Sequence, residues 1–405
     1  MKKTIFIVLS VAMIFSLTSC FPSHELKETA IVQAIAVDLT DEGYELTLQF
    51  YAPKGSGATT AIDTSNNNAN IVVAKGKTIT EAVDQATAIQ GEYIFTGNNR
   101  LLIIGERFAK EGVESLFSYF DRNHLTTQNI DVLVSEGPAK EIVSVNIDQG
   151  ILAAEMLEKI VENCEENGMI LRCPYYMFSQ NMFQYEGSSV VPVIEKTGGQ
   201  EEQSEDQGTE SGDSSVSESI QSVDVVKIEK TAVFKDYKLA DIVDKECSQG
   251  LAFLSNTVKE ATLVAEDANG HLSSINLYSC DAKLKPEFQD DQITFVLQIK
   301  SKASIDEVLL PAGEYTGLDE LEIFAQSAER LIADECTRAF NRVVKEDQSN
   351  ILYLGDLIHK NNPKLWTAIQ NDFPAHLEKL HFRTEVDVDI TRLSIEANQA
   401  QNKNK

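Results

Sequence analysis

Basic residues are scarce in this chain: 35 Lys and Arg stand against 63 Asp and Glu, giving a formal net charge of −28 over 405 residues. A surface of this sign repels phosphate, so charge opposes rather than drives binding to nucleic acid or anionic lipid. Long hydrophobic runs are scarce too. The one run that could address a membrane lies at the extreme N-terminus, which excludes a polytopic membrane protein. Cysteine is limited to 6 residues, with no CxxC pair and no Cys/His ligand spacing, so nothing reads as a metal site. The sequence also lacks GxSxG, HExxH, Walker and GxGxxG patterns. That weakens the case for an enzyme, although catalytic residues can still converge from distant parts of a chain.

The sequence does contain enough to build a large core. Hydrophobic residues at 42% and charged residues at 24% lie in the globular range, and 405 residues favour two or three domains. At the N-terminus, Lys2 and Lys3 precede the apolar run Ile5 to Phe15, then Ser16 and Leu17-Thr18-Ser19-Cys20. A charged start, a short apolar stretch and small residues before a cut make a secretory signal. The run is shorter than the roughly 20 residues a spanning helix needs. A cysteine directly after the small residues supplies the thiol that a lipoprotein signal links to diacylglycerol, so Cys20 is the expected lipidation site. Loss of residues 1–19 removes only Lys2 and Lys3, and a chain starting at Cys20 carries −30. Five cysteines remain, Cys164, Cys173, Cys247, Cys280 and Cys336, and an odd number cannot all pair. They read as small buried hydrophobes, with a Cys164–Cys173 disulfide as the alternative.

Beyond the signal (1–19) the pattern divides into an N-terminal α/β domain (20–136), a small second domain (137–197), an acidic linker (198–222), a C-terminal α+β domain (223–395) and a polar tail (396–405). Ala30 to Asp38 and Tyr44 to Ala52 read as strands of a hairpin turning at Thr40-Asp41-Glu42-Gly43. Gly55 to Asn70, rich in Gly, Thr and Asn, reads as a loop. Ile71 to Ala74 (strand), Thr78 to Ile89 (helix with capping box Thr78-x-x-Glu81) and Arg100 to Ile104 (strand) make a βαβ unit. One helix is expected from Phe108 to Arg122, a strand at Ile130 to Ser135, and a helix from Asp148, its N-cap, to near Gly168. The strand Ser189 to Ile194 follows the aromatic stretch Tyr175 to Phe178. Thr197 to Gln221 has no Lys or Arg and little to bury, as a linker would. Val223 to Ile228 and Thr231 to Phe234 are expected to open a new sheet continued by Ala261 to Glu266, Leu272 to Leu284 and Gln292 to Ser301. A long helix from Leu318 to Lys345 should lie on that sheet, and Thr384 to Ile390 alternates as a half-exposed strand. The fold class is mixed α/β and α+β, the last domain pairing an antiparallel-rich sheet with a long helix.

At this level of detail the chain resembles the Ger(x)C lipoproteins, C subunits of nutrient germinant receptors in endospore-forming bacteria, over essentially its whole mature length. The resemblance lies in Cys20 with Glu25-Leu26, Ile31-Val32 through Ala36-Val37-Asp38, Gly76-Lys77-Thr78, Phe95 with Gly97, and Ile103-Ile104-Gly105-Glu106. It continues in Thr231 to Asp236 with Lys238-Leu239, in Gly250-Leu251, and in Leu354 to Lys360 with Pro363-Lys364 and Trp366. Departures are Phe21-Pro22-Ser23 after the lipid cysteine, where the family usually has Trp and an acidic residue, and the length of the acidic linker. The resemblance implies a three-domain mixed α/β protein on the outer leaflet of the inner spore membrane. It also implies assembly with integral membrane subunits, a role in nutrient-triggered germination, and no chemistry or cofactor of its own.

The residues that could carry chemistry have plainer explanations. Asp356 and His359 could form an acid/base pair or half a metal site, but without a third ligand or a nucleophile nearby they read as turn contacts. His376 and His381 read the same way. Trp366, the single tryptophan, is expected to fill the core, with an interface anchor as the alternative. A solute-binding lipoprotein of a transporter would require two similar lobes around a cleft, and an envelope hydrolase would require Glu, Asp and His converging in one deep pocket.

Overall fold

A computed structural model describes residues 28–51, 69–123, 126–145, 153–185, 187–198, 224–266, 270–289, 292–309 and 318–393. The expectations for Cys20 and the signal, most of the 55–70 loop, the Asp148 cap, most of the acidic linker and the polar tail lie outside these residues.

The chain opens with Thr29–Thr40 (β1) and Gly43–Tyr51 (β2), the expected hairpin, whose turn closes with Thr40 opposite Gly43. Ala69–Gly76 (β3) pairs antiparallel with β2. The helix Ile79–Gln90 (α1) then starts at the expected cap. Thr78 Oγ1 accepts a bond from the Glu81 amide at 3.1 Å, and Glu81 Oε2 accepts from the Lys77 amide at 2.7 Å. Tyr93–Phe95 (β4) joins the start of β1, and Leu101–Gly105 (β5) runs parallel to β1. β3 and β5 are therefore parallel, as a βαβ unit requires, but the hairpin lies between them in the order β3-β2-β1-β5.

Asp131–Ser135 (β6) and Ser189–Thr197 (β7) extend the sheet in parallel. Seven consecutive residues of β1, Val32 to Asp38, are buried, because helices cover both faces there. One side packs α1 with Glu106–Glu111 (α2), Glu114–Phe120 (α3) and Tyr175–Gln184 (α6); the other packs Ala139–Val143 (α4) and Ala153–Glu166 (α5).

Three expectations are corrected. The single helix from Phe108 to Arg122 is two, α2 and α3, broken at Gly112, whose φ of 127° lies outside helical backbone. The two strands from Val223 to Phe234 are one, Val225–Lys235 (β8), and they do not open the second sheet. β8 pairs antiparallel with β7 and with Lys238–Val243 (β9), completing the first sheet as β5-β6-β7-β8-β9. Main-chain pairing with β7 from Ser189–Phe234 to Thr197–Val225 fixes it there. The long helix keeps α geometry from Leu318 to Ala339 (α8) and widens into a π-helix over Phe340–Glu346. The wider turn keeps Phe340, Val343 and Val344 all buried and stacks Phe340 on Phe382 at 4.3 Å.

The second sheet has the order β10-β11-β12-β13: Ala261–Glu266, Leu272–Gln289, Gln292–Leu309 and His381–Leu393. The first three are antiparallel and β13 is parallel to β12. The helices Lys245–Leu254 (α7) and α8 pack beside it. The expected mixed class, with an antiparallel-rich C-terminal sheet and a long helix, is what the chain forms.

The α7–α8 contact is close enough to require glycine: a Cβ on Gly250 would lie 2.3 Å from the Glu335 carbonyl oxygen. Glu335 is 6% exposed, and its Oε2 has no hydrogen-bond partner. Burial, then Glu246, pushes its carboxyl from the ordinary 4.5 up to about 8. Below that ordinary value both folded and unfolded chains hold the proton. Between there and about 8 only the folded chain holds it, so stability falls as pH rises through that window. Glu335→Gln keeps the shape and removes the ionisation cost, though not the cost of burying a polar group. It is expected to stabilise the protein by about 2 kcal/mol near pH 8 and by little near pH 5. Urea denaturation at the two pH values measures this, and an equal effect at both would contradict it.

Candidate functional site

The sequence motifs left unexplained by core packing gather in two places. The first is the end of the parallel strands β1, β5 and β6, where open α/β sheets usually bind ligands. Here the chain fills that crevice itself. The Asp38 carboxylate accepts bonds from the Ala139 amide at 2.8 Å and the Lys140 amide at 3.0 Å, which caps α4. A Cβ on Gly105 would lie 2.1 Å from Asp38 Oδ1, so only glycine fits. Glu106 Oε2 accepts from the Gly137 amide at 3.1 Å. Burial raises the Asp38 carboxyl above its ordinary value against these two amides. The Ala36-Val37-Asp38 and Gly105-Glu106 motifs are therefore a structural lock.

The second place is a seam between the first sheet and the C-terminal helices. α6 ends at Gln184, and Tyr185 donates its phenol proton to Asp356 Oδ2 at 2.7 Å. Its ring meets Tyr353 at 4.9 Å, and Tyr353 Oη donates to Asn181 Oδ1 at 3.1 Å. Gln348 and Tyr353 both take the left-handed conformation, with φ of 51° and 54°, and so bend the chain back to the first sheet. There Lys235 Nζ reaches the Gln348 carbonyl at 3.1 Å and Ser349 Oγ reaches the Phe234 carbonyl at 3.2 Å. The seam encloses a cavity of about 200 Å³, lined among others by Tyr185, Ser188, Gln348, Asp356, Trp366 and Phe373. Burial, then Asp356, pushes the Tyr185 phenol well above its ordinary range, so it remains a donor at neutral pH.

Asp356 and His359 sit on Leu354–Asn361 (α9), but they do not act as a pair: Asp356 is engaged by Tyr185, and the His359 ring faces Trp366 at 6.2 Å. Trp366, on Pro363–Ile369 (α10), is half-buried, packs edge-on to Phe373 at 5.2 Å and also lines the cavity. A Cβ on Gly355 would lie 2.6 Å from the Trp366 ring, which explains the spacing of the Leu354 to Trp366 motif as helix-to-helix contact. His376 Nδ1 lies 2.9 Å from the Asp372 carbonyl, and His381 is exposed at the start of β13. All five described cysteines are free, so the alternative Cys164–Cys173 disulfide is not formed. Among the described residues no group of three or more His, Cys, Asp or Glu could hold a metal ion. Tyr185, Tyr353 and Gln348 carry no mark in the sequence, and Lys235 stands out only as part of the Thr231 to Asp236 motif, because their contacts span more than a hundred residues and a positive φ outside glycine leaves no periodic mark.

Residues 22–196 match the spore germination protein N-terminal domain, and residues 229–394 match the spore germination B3/GerAC-like C-terminal domain. The chain belongs to this family of spore germination proteins. It is 24% identical to the putative spore germination protein YfkR of Bacillus subtilis over 76% of each chain. To spore germination protein KC of the same organism it is 21% identical, over 98% of this chain and 97% of that one. The crystal structure of the GerBC protein superposes with a TM-score of 0.55 at 13% identity, covering 88% of this chain and 96% of that chain. The GerAC-like fold is thus shared, and the chain is a germinant-receptor C-subunit-like protein. Its C-terminal family segment begins within β8, so that segment supplies β8 and β9 to a sheet built mainly by the N-terminal one.

Proposed function

We propose that this chain is the lipid-anchored C subunit of a nutrient-responsive germinant receptor, held through Cys20 on the extracytoplasmic face of the inner spore membrane. It performs no chemistry and acts through contacts with integral membrane subunits. The observation that carries this reading is a lipoprotein signal ending at Cys20 directly before a family-matched body that starts at residue 22. No described helix is long and apolar enough to cross a membrane, so a lipid is the attachment this reading supplies. The two motif clusters support a non-catalytic role, since Asp38, Gly105 and Gly355 serve packing and Asp356 serves a contact between the two sheets' units. A transporter's solute-binding lipoprotein needs two similar lobes. Among the described residues the sheets are unlike, nine strands against four, and neighbouring strands of the larger come from both family segments. Affinity isolation of the tagged, acylated chain from dormant spores tests the proposal. Polytopic membrane subunits are expected in the same eluate, and recovery of the chain without any of them would refute it.

A further inference from the structure

We infer that the cavity between α3, α6 and the β8–β9 turn is a binding site for a small organic cation whose ammonium carries alkyl groups. The cavity measures about 480 Å³, and no residue that lines it lines the seam cavity at Asp356.

Three aromatic rings wall it, one from each element: Phe117, Phe183 and Tyr237. Phe117 and Phe183 have centroids 5.5 Å apart and planes inclined at 58°. Phe117 and Tyr237 are 6.2 Å apart at 70°, and Phe183 and Tyr237 are 6.4 Å apart at 66°. A cation held by a ring face lies within about 6 Å of its centroid. Rings this close and this steeply inclined to one another can meet that condition at a single point, as the walls of an aromatic cage do.

Two of the walls are placed where packing alone gives no reason for a ring. Phe183 points away from the core that Phe178 and Met182 of the same helix join, and it is 60% exposed. Tyr237 belongs to the two-residue turn closed by Lys235 opposite Lys238, in which Asp236 and Tyr237 have φ of 50° and 64°. Asn and Gly ordinarily fill such positions, and a bulky ring there strains the backbone. The main chain is held against that strain from both sides. Tyr237 N–H donates to the Gly187 carbonyl at 3.1 Å, and the Tyr237 carbonyl accepts from the Val113 amide at 3.0 Å.

Charge then selects the ligand. Glu114 and Asp121 line the cavity with Arg122, two carboxylates to one guanidinium. Tyr175 donates to Asp121 Oδ1 at 2.7 Å, which leaves the second oxygen of that carboxylate for another donor. An anion is repelled by such a wall, and a neutral solute gains nothing from it. A bare metal ion needs several close oxygen ligands, which ring faces do not supply. An alkylated ammonium satisfies both parts, its charge toward the carboxylates and its methyl groups against the rings.

Calorimetric titration of choline into the full chain carrying Cys20→Ala, so that no acyl group takes part, tests the site. Choline is expected to bind several-fold more tightly than the alcohol in which carbon replaces its nitrogen. Phe183→Leu alters an exposed side chain, and Tyr237→Gly suits the turn, so both variants are expected to melt no lower than the parent. Each is expected to weaken choline binding several-fold. Equal binding of the neutral alcohol would make the cavity a merely apolar cleft and overturn the inference. So would no binding of choline, or binding that survives both substitutions. Phosphatidylcholine vesicles identify the source of the cation. Vesicle capture that Phe183→Leu and Tyr237→Gly abolish supports the site with a lipid headgroup as its ligand, and binding of free choline without capture supports it with a dissolved solute.

Discussion

Residues 224–393 expressed alone are expected to be unfolded or aggregated, whereas the full chain cut at a protease site inserted between 199 and 223 should remain one particle. The reason is the alternation along β8. Ala232 and Phe234 are buried in the core shared with α1, α3 and α6, while Val233 is buried with Val190 and Val243 in the core of the second sheet. With Ile228 buried beside α4 and α5, one strand thus feeds three cores, and its main chain is paired to β7 over most of its length. Separating the pieces exposes Ile228, Ala232 and Phe234 on one side and Val190, Val191 and Val193 on the other, all buried in the intact chain. At about 1.5–3 kcal/mol for each large apolar side chain, the loss is on the order of 10 kcal/mol, as large as the whole stability of a typical domain. Gel filtration and circular dichroism of the fragment and of the cut chain measure the outcome. A soluble 224–393 fragment that unfolds cooperatively would show that the two family segments fold independently and that β8 is dispensable to both.

The sequence revealed what local pattern specifies and missed what distant partners specify. The β1–β2 hairpin, the Thr78 cap and the alternating β13 were legible because turn chemistry, a capping box and a period of two are all local. The placement of β8 was not. A run such as Thr231 to Phe234 looks the same whichever sheet receives it, and the acidic segment before it suggested a boundary that the main-chain pairing with β7 crosses. Gly112 broke a helix that its flanking apolar spacing had joined, because Phe117 and Phe120 keep a helical period on either reading. The family motifs were visible as residues but not as contacts. Gly250 and Gly355 become intelligible only once Glu335 and Trp366 are brought against them, and Asp356 only once Tyr185 is.

Cys20→Ala is expected to move the protein from the membrane fraction to the soluble fraction, an effect larger than that of any single substitution in the body. The thiol is the only group at the signal junction that can form the thioether, and alanine removes it. Each acyl methylene placed in lipid contributes ~0.8 kcal/mol, so one chain holds a protein marginally and two hold it stably. Among the described residues nothing replaces that. The body from Cys20 onward carries −30, which an anionic bilayer repels, and no described helix is fit to span it. Fractionation after a high-salt wash separates the cases. Retention of Cys20→Ala through the wash would mean that the integral subunits grip the body directly, and the lipid would then be an addition to a protein interface rather than the anchor.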